Sequence, residues 1–507
     1  MKNLLLWILL FPAFLRGQEN CLNVRHDEPI EANNIGALFS TNGQKFYNGK
    51  RYFKVPYLSS ESPSTIYASS PWIGGYRSGK LGIAFQTYTS NQFDFHAGPL
   101  GPNAKILDDA CPDFSKIWTV FGQEIIQHIE DYADNQIIDH PWPSIYGWPA
   151  DGNNFFLQYN GFALPEDHRG GWADFMDLNA DGKYEPDQGE YPAIKIVGNY
   201  QIPDEMKWMV FNDAAPHDFS GGVPLGVELQ LTAFGFYCTD NSLLNNALFN
   251  SYKIINQNDD PITDFYFGHW TDYDLGCPGD DFAGCDTIRN TEFVYNDFSF
   301  DGGPGNSLDC GNHIIGYGAR IPVQSMTYLS QPMHTFNEIL IPSNTQTGCY
   351  NMLRGTWPDG TPITAVGNGY NPSQSLPVTR YLFSGDPMDT TQWSQVTVHN
   401  TINIKTISSV KLDVLQPYEP GRVDLVYQFH LDTTLSFNHQ VGVMRRQVDS
   451  LKMLLTTSDL SCTAFPFCSA SRQCVWPGDF NQDSIVDNND LLFWGVMKDA
   501  SGPKRNG

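Results

Sequence analysis

Asp177, Asn179 and Asp181 stand at every second position and are followed at once by Gly182, within WADFMDLNADGKYEPDQGEYP from Trp172. A hard cation needs this spacing. Oxygen ligands at loop positions one, three and five point to a common centre, and glycine at six permits the sharp turn. Lys183 then offers a backbone carbonyl at position seven, and Glu185 stands at nine, a position often joined to the ion through water. Position twelve, normally a bidentate Glu, is Gln188. The closing carboxylate therefore falls to Asp187, to Glu190 or to a residue elsewhere in the fold. The plainer reading is an acidic surface turn; the match to the ligand spacing favours Ca2+.

Two further stretches gather carboxylates. Thr271 to Asp286 reads TDYDLGCPGDDFAGCD, with Asp272 and Asp274 at the end of an expected strand and Asp280, Asp281 and Asp286 in one short loop. Five carboxylates so close repel one another unless a cation or protonation relieves them. A solvated loop, with its repulsion screened by salt, is the alternative. Cys277 and Cys285 form a pair that would fix the loop's shape, which favours a metal. Asp479 to Asp490 reads DFNQDSIVDNND. Here Asp479, Asn481, Asp483, Asp487 and Asp490 occupy positions one, three, five, nine and twelve, and Ile485 supplies the carbonyl at seven. Ser484 replaces the glycine at six, and Leu491, Leu492 and Trp494 follow as a helix leaving a calcium loop. This stretch resembles one repeat of a type I dockerin, whose loops close with Asp. Dockerins carry two such repeats, so only the calcium ligands are carried over.

Catalytic motifs are scarce. Neither GxSxG nor HExxH occurs, and the 12 histidines are dispersed. His128, beside an apolar stripe, reads as a satisfied histidine rather than a ligand. Gly74 to Lys80 has the glycine spacing of a phosphate loop, but Leu81 replaces the required Ser or Thr and a strand is expected to follow. Two carboxylates meeting across a cleft would suit glycoside hydrolysis, yet the obvious acidic clusters are better used as cation sites. Trp142, Trp148 and Trp357 are the candidates for a sugar platform. The loop WPSIYGWPADGN from Trp142 reads first as packing over a sheet end.

The elements that must position these residues are mostly strands. Ser64 to Tyr88 predicts a β-hairpin turning at Arg77-Ser78-Gly79-Lys80. Gly226 to Cys238, Leu248 to Asn256, Ile262 to Trp270 and Val423 to Leu431 alternate apolar and polar residues as half-buried strands do. A helix is expected over Asp113 to Ala133, with Ile117, Trp118, Phe121, Ile125 and Ile129 in its stripe, and another from about Phe437 to Leu455. The expected fold is mainly β with a few helices: a β-sandwich-like core plus a small C-terminal EF-hand-like or dockerin-like calcium-loop segment.

Length predicts two to four domains at roughly 150 residues each. Residues 1–17 read as a secretory signal peptide, 18–225 as a β-rich region with one helix and a calcium loop, 226–460 as a sandwich-like region ending in a helix, and 461–507 as a Cys-rich linker with the last calcium loop. No later segment is apolar enough to cross a membrane. The 10 cysteines suit an oxidising compartment, and their scatter does not suit structural zinc. A net charge of −26 argues against nucleic acid or an anionic membrane as partner and suits carboxylate sites neutralised by bound cations.

Several phrases resemble a family of secreted proteins associated with the type IX secretion system. They include STIYASSPWIGG from Ser64, the Asp177 loop ending in GEYP, MVFND from Met209 and FNSYKIINQN from Phe249. DYDLG with DDFAGCD, LRGTWPDGTPIT from Leu353, FSGDPMDTTQW from Phe383 and CVWPGDFNQDSIVDNNDLL extend the likeness. The resemblance implies export to the cell surface or medium and repeated calcium motifs rather than a set activity. The expected function is that of a calcium-stabilised extracellular protein with a structural or adhesive role, its partners calcium ions and glycan or other cell-surface components. A polysaccharide-active enzyme or carbohydrate-binding protein is the alternative, and a dockerin-type scaffold component is a third reading.

Overall fold

Ser78 and Gly79 carry positive φ (49° and 76°) and reverse the chain between β1 (Ile66–Arg77) and β2 (Lys80–Phe85), the hairpin expected around this turn. The computed structural model describes residues 25–460, apart from 60, 89–91, 108–109, 239–241, 297–298, 340–344, 373–375, 399–403, 437–438 and 458–459. The expected signal peptide, Cys-rich linker and Asp479–Asp490 loop lie outside the described residues.

The other principal strands follow in chain order. They are β3 (Trp118–Phe121), β4 (Glu205–Asn212), β5 (Val227–Gly235), β6 (Ala247–Asn256), β7 (Ile262–Tyr273), β8 (Asp281–Asp286) and β9 (Thr291–Asn296). Then come β10 (Val323–Tyr328), β11 (Thr335–Glu338), β12 (Lys405–Leu415) and β13 (Pro420–His430). They form two antiparallel sheets. One runs β11–β12–β7–β1–β2; the other runs β8–β9–β10–β13–β6–β5–β4, with β3 and the short strand His96–Ala97 also paired to β4. The fold is mainly β, 37% strand against 17% helix, and sandwich-like.

Alternation explains the core. Ile73, Phe267 and Val410 of the first sheet meet Leu231, Tyr252, Leu425 and Tyr427 of the second in one buried cluster. Each such side chain, taken wholly from water, stabilises the fold by about 1.5–3 kcal/mol. The outer faces are covered too, which is why β4 and β5 are buried along their whole length. Helix α1 (Gly122–Asn135) belongs to the layer over β4, where Trp118 and Trp172 pack on Trp208. Helix α2 (Gln346–Arg354) sets Tyr350 and Leu353 against Trp72 and Ile407, and α3 (Gln440–Thr457) sets Val441, Met444 and Val448 against Phe282, Phe293 and Val323. No helix among the described residues is long and apolar enough to cross a membrane.

Two expectations change. The first-half helix begins at Gly122, because Trp118–Phe121 pairs with Glu205–Trp208 as a strand. β-Branched Thr119 and Val120 suit that pairing, and a side chain at Gly122 would collide with the Pro203 carbonyl. The division expected near residue 225 is not a boundary between cores. Strand β1 pairs with β7 and β4 with β5, so both sheets draw on both regions, and the described residues belong to one compact unit.

Candidate metal centre

The Asp177 loop hangs from a two-residue ladder, Phe175–Met176 against Tyr191–Pro192. Its side chains fold back on its own backbone. Asp177 accepts from the N–H of Ala180 (2.7 Å) and Gly182 (2.9 Å), Asn179 from that of Asp181 (2.9 Å), and Asp181 from that of Lys183 (2.8 Å). Ala180 and Gly182 take positive φ (61° and 79°), so the chain reverses sharply around these oxygens. Asn179 donates to Glu185 at 3.1 Å, which brings position nine over position three.

Burial distinguishes the two candidates for closure. Glu190 is fully buried, and its two oxygens accept from the N–H of Leu178 and Glu185, each at 2.9 Å. Desolvation holds its carboxyl above the ordinary range, and the Asp177 charge adds to this. Asp187 is exposed on the turn Pro186–Gln188, with its charge acting on Tyr146. Glu190, not Asp187, faces Asp177. The loop is anchored to α1: the buried His128 Nε2 lies 3.1 Å from the Glu190 carbonyl, and Gly189 (φ 85°) meets the Tyr132 ring so closely that a Cβ would collide.

The second group forms where β7 runs into β8. Asp272 and Asp274 are 3% and 2% exposed, and Asp281, at the start of β8, is 1% exposed. Arg51 pairs with Asp274 at 2.6 Å, and Lys405 stands 3.7 Å from Asp272. Asp301 joins them from the loop after β9. It is fully buried and accepts from the N–H of Cys277 (2.9 Å) and Tyr317 (2.6 Å). Gly276, at φ 73°, leaves room for that carboxylate, since a Cβ there would collide with it. One oxygen of Asp281 accepts from the Leu275 N–H at 3.1 Å. The other, like Oδ1 of Asp274, has no hydrogen-bond partner.

Charge is concentrated here beyond what protein cations offset. Burial, then the charges of Asp280, Asp301 and Asp274, push Asp281 well above the carboxylate range. Burial and the neighbouring Asp274 push Asp272 up to about 7, and burial pushes Asp274 and Asp301 up to about 6. Either a proton or a cation relieves such a group. A set made of carboxylate oxygens suits a hard ion such as Ca2+.

The other sequence candidates fall elsewhere. Asp281–Asp286 is a strand rather than part of one short loop, so Asp286 lies five residues from Asp281, about 17 Å away. It caps a turn by accepting from Ile288 and Arg289 N–H and pairs with Arg289 (2.9 Å) and Arg445 (3.2 Å). Cys277 is bonded to Cys310, not to Cys285, which is a buried thiol donating to the Leu382 carbonyl. Cys277 and Cys310 lie beside Asp301, but their joined sulfurs are not thiolate ligands. Trp148 is buried with Nε1 on the Asp174 carbonyl; Trp357 is partly buried with Nε1 on the Gly369 carbonyl; Trp142 is half-buried. These three do not form an exposed platform. Asp301 escaped sequence reasoning because it has no ligand spacing to the others. Its only signal is the Gly-rich loop it opens, DGGPG.

No family model matches this chain, and no curated protein matches it either.

Proposed function

We propose that this chain is a secreted, calcium-stabilised β-sandwich protein with a structural or surface-binding role, in which bound Ca2+ pins loops from separate strands. The observation that carries the reading is Asp281: a 1%-exposed carboxylate with one oxygen unpartnered, set among Asp274, Asp280 and Asp301. Leaving such an oxygen ionised without hydrogen bond or cation costs several kcal/mol; a proton or a bound cation relieves it, and the crowd of oxygens favours the cation in this reading. The Asp177 loop supports the same reading through its ligand spacing and through the Asp177 charge that acts on the buried Glu190 carboxyl.

Extracellular calcium modules bind at roughly 10⁻⁴ to 10⁻³ M, a range suited to a structural pin. At calcium tenfold above that constant, each site adds about 1.4 kcal/mol to stability by mass action. Export by a type IX route, a last calcium loop at Asp479–Asp490 and glycan or cell-surface partners belong to this proposal through the sequence resemblance. The test is metal analysis of the dialysed protein with calorimetry in calcium and in chelator. Bound calcium and a chelator-sensitive Tm are expected; absence of both would sink the reading.

A further inference from the structure

Lys45 is wholly buried between the two sheets. Two backbone hydrogen bonds to Ser69 of β1 (2.8 and 3.1 Å) fix its segment, and its side chain reaches across the sandwich to β6 and β13. There Nζ donates to Tyr427 Oη at 2.9 Å and lies over the rings of Phe46, Tyr252 and Tyr427 at 5.5, 5.6 and 5.0 Å. Asn250 of β6, also wholly buried, completes the contact. With its amide nitrogen donating to the Phe249 carbonyl (2.9 Å), its oxygen meets Lys45 Nζ at 3.2 Å.

Among the described residues, no carboxylate lies within ion-pair distance of Lys45. The carboxyl whose charge acts on it is Glu292 of β9, also fully buried. Glu292 accepts from Tyr273 Oη (2.8 Å) and Thr406 Oγ1 (3.2 Å), and the Ser408 hydroxyl also acts on its carboxyl. An amine, a carboxamide and an acid are thus enclosed together in a dry core.

We propose that Lys45 and Asn250 become joined by an intramolecular amide bond that links the two sheets covalently. The Lys45 amine attacks Asn250 Cγ. The Nζ–Cγ bond forms, the Cγ–Nδ2 bond breaks, one proton passes from Nζ to Nδ2, and ammonia leaves. No oxidant or other co-reactant is consumed. With Nζ 3.2 Å from the amide oxygen, the carbonyl carbon bonded to that oxygen lies within about 4.4 Å of it. Enclosure holds the two groups in contact and keeps competing water away.

Burial also sets the protonation states the reaction needs. It lowers Lys45 well below the usual lysine range and raises Glu292 to about 7, so a proton moved from one to the other leaves a neutral amine and a neutral acid. The neutral amine is the nucleophilic form. Glu292 is a positioning residue in this scheme: its charge acts on Lys45 across the core, and with its own carboxyl protonated the amine is left without a counter-charge and stays neutral.

The experiment is mass spectrometry of the full-length protein with tryptic mapping under reducing conditions. Expected is a deficit of one ammonia, about 17 Da, and a branched peptide joining the Lys45 and Asn250 segments. Lys45→Met abolishes both signals. Glu292→Gln, checked for a native circular dichroism spectrum, is expected to link as the parent does, because its amide is neutral like the protonated acid. If the unmodified chain keeps its full mass and yields separate Lys45 and Asn250 peptides, Lys45 is a hydrogen-bonded buried lysine and the proposal fails. If Glu292→Gln retains the ammonia while the parent loses it, the role given to Glu292 fails and the bond stands.

Discussion

Asp301 accepts the backbone N–H of Cys277 at 2.9 Å, so a carboxylate from the loop after β9 is fixed onto the loop that follows β7. The disulfide from Cys277 to Cys310 ties the same two loops a second time. Two restraints on one junction imply that its geometry matters. The carboxylates held there are those proposed to hold calcium.

Asp281→Asn should therefore act differently with and without calcium. In chelator it replaces a carboxyl that burial already holds in its neutral form, so Tm changes little. In calcium it removes a ligand, so the calcium-dependent rise in Tm shrinks by a few degrees and one ion is lost per molecule. Asp286→Asn should leave calcium stoichiometry unchanged, because Asp286 serves Arg289 and Arg445. Calorimetry with metal analysis checks both.

For the Asp177 loop, Glu190→Ala leaves the N–H groups of Leu178 and Glu185 without their acceptor and should cost about 1–3 kcal/mol. Asp187→Ala, at an exposed position, should stay within about 0.5 kcal/mol of the parent. Equal effects in denaturant unfolding would show that Glu190 does not close the loop.

Replacing Cys277 and Cys310 together with serine should weaken calcium binding about tenfold or more, as loss of an outer support does at other metal sites. Calcium titration by calorimetry reads this directly. An unaltered affinity would assign the disulfide to the fold alone.

Glu338 supplies a pH test away from the calcium chemistry. It is 8% exposed, Oε1 has no partner, and burial pushes it up to about 8 from an ordinary 4.5. The folded state therefore keeps a proton that the unfolded chain releases above about 4.5. Its contribution to stability is full below that pH and is lost as pH rises through 8, at about 1 kcal/mol per pH unit. Glu338→Gln should flatten this slope, so the variant gains on the parent between pH 5 and 8. A constant difference in unfolding free energy over that range would refute the assignment.

The main strands of the sandwich were legible because one residue in two faces the core, as in Val423, Leu425 and Tyr427 of β13. The hairpin turn was legible because Ser78-Gly79 is a strong local signal. The helical stripe from Ile117 misled, since apolar residues at 117, 118 and 121 serve a strand edge as well as a helix, and pairing with β4 decides between them. The sharp turn at Asp177 to Gly182 was legible because its hydrogen bonds are local. Spacing did not separate Glu190 from Asp187; the fold buries the first and leaves the second in solvent. Asp301, the Cys310 partner of Cys277 and the meeting of Lys45 with Asn250 are contacts between distant segments, and spacing cannot encode them.

Strand β1, made of residues 66–77, lies beside β7 and β2, while β13, made of residues 420–430, holds the centre of the other sheet between β10 and β6. Neither sheet is complete until about the last tenth of the described chain is available to it. Such a topology has high contact order and folds slowly, because long loops must close before their contacts reward them. If the chain is exported as proposed, threaded from its N-terminus, it arrives on the far side still open, and its assembly begins there, among calcium ions and oxidised thiols.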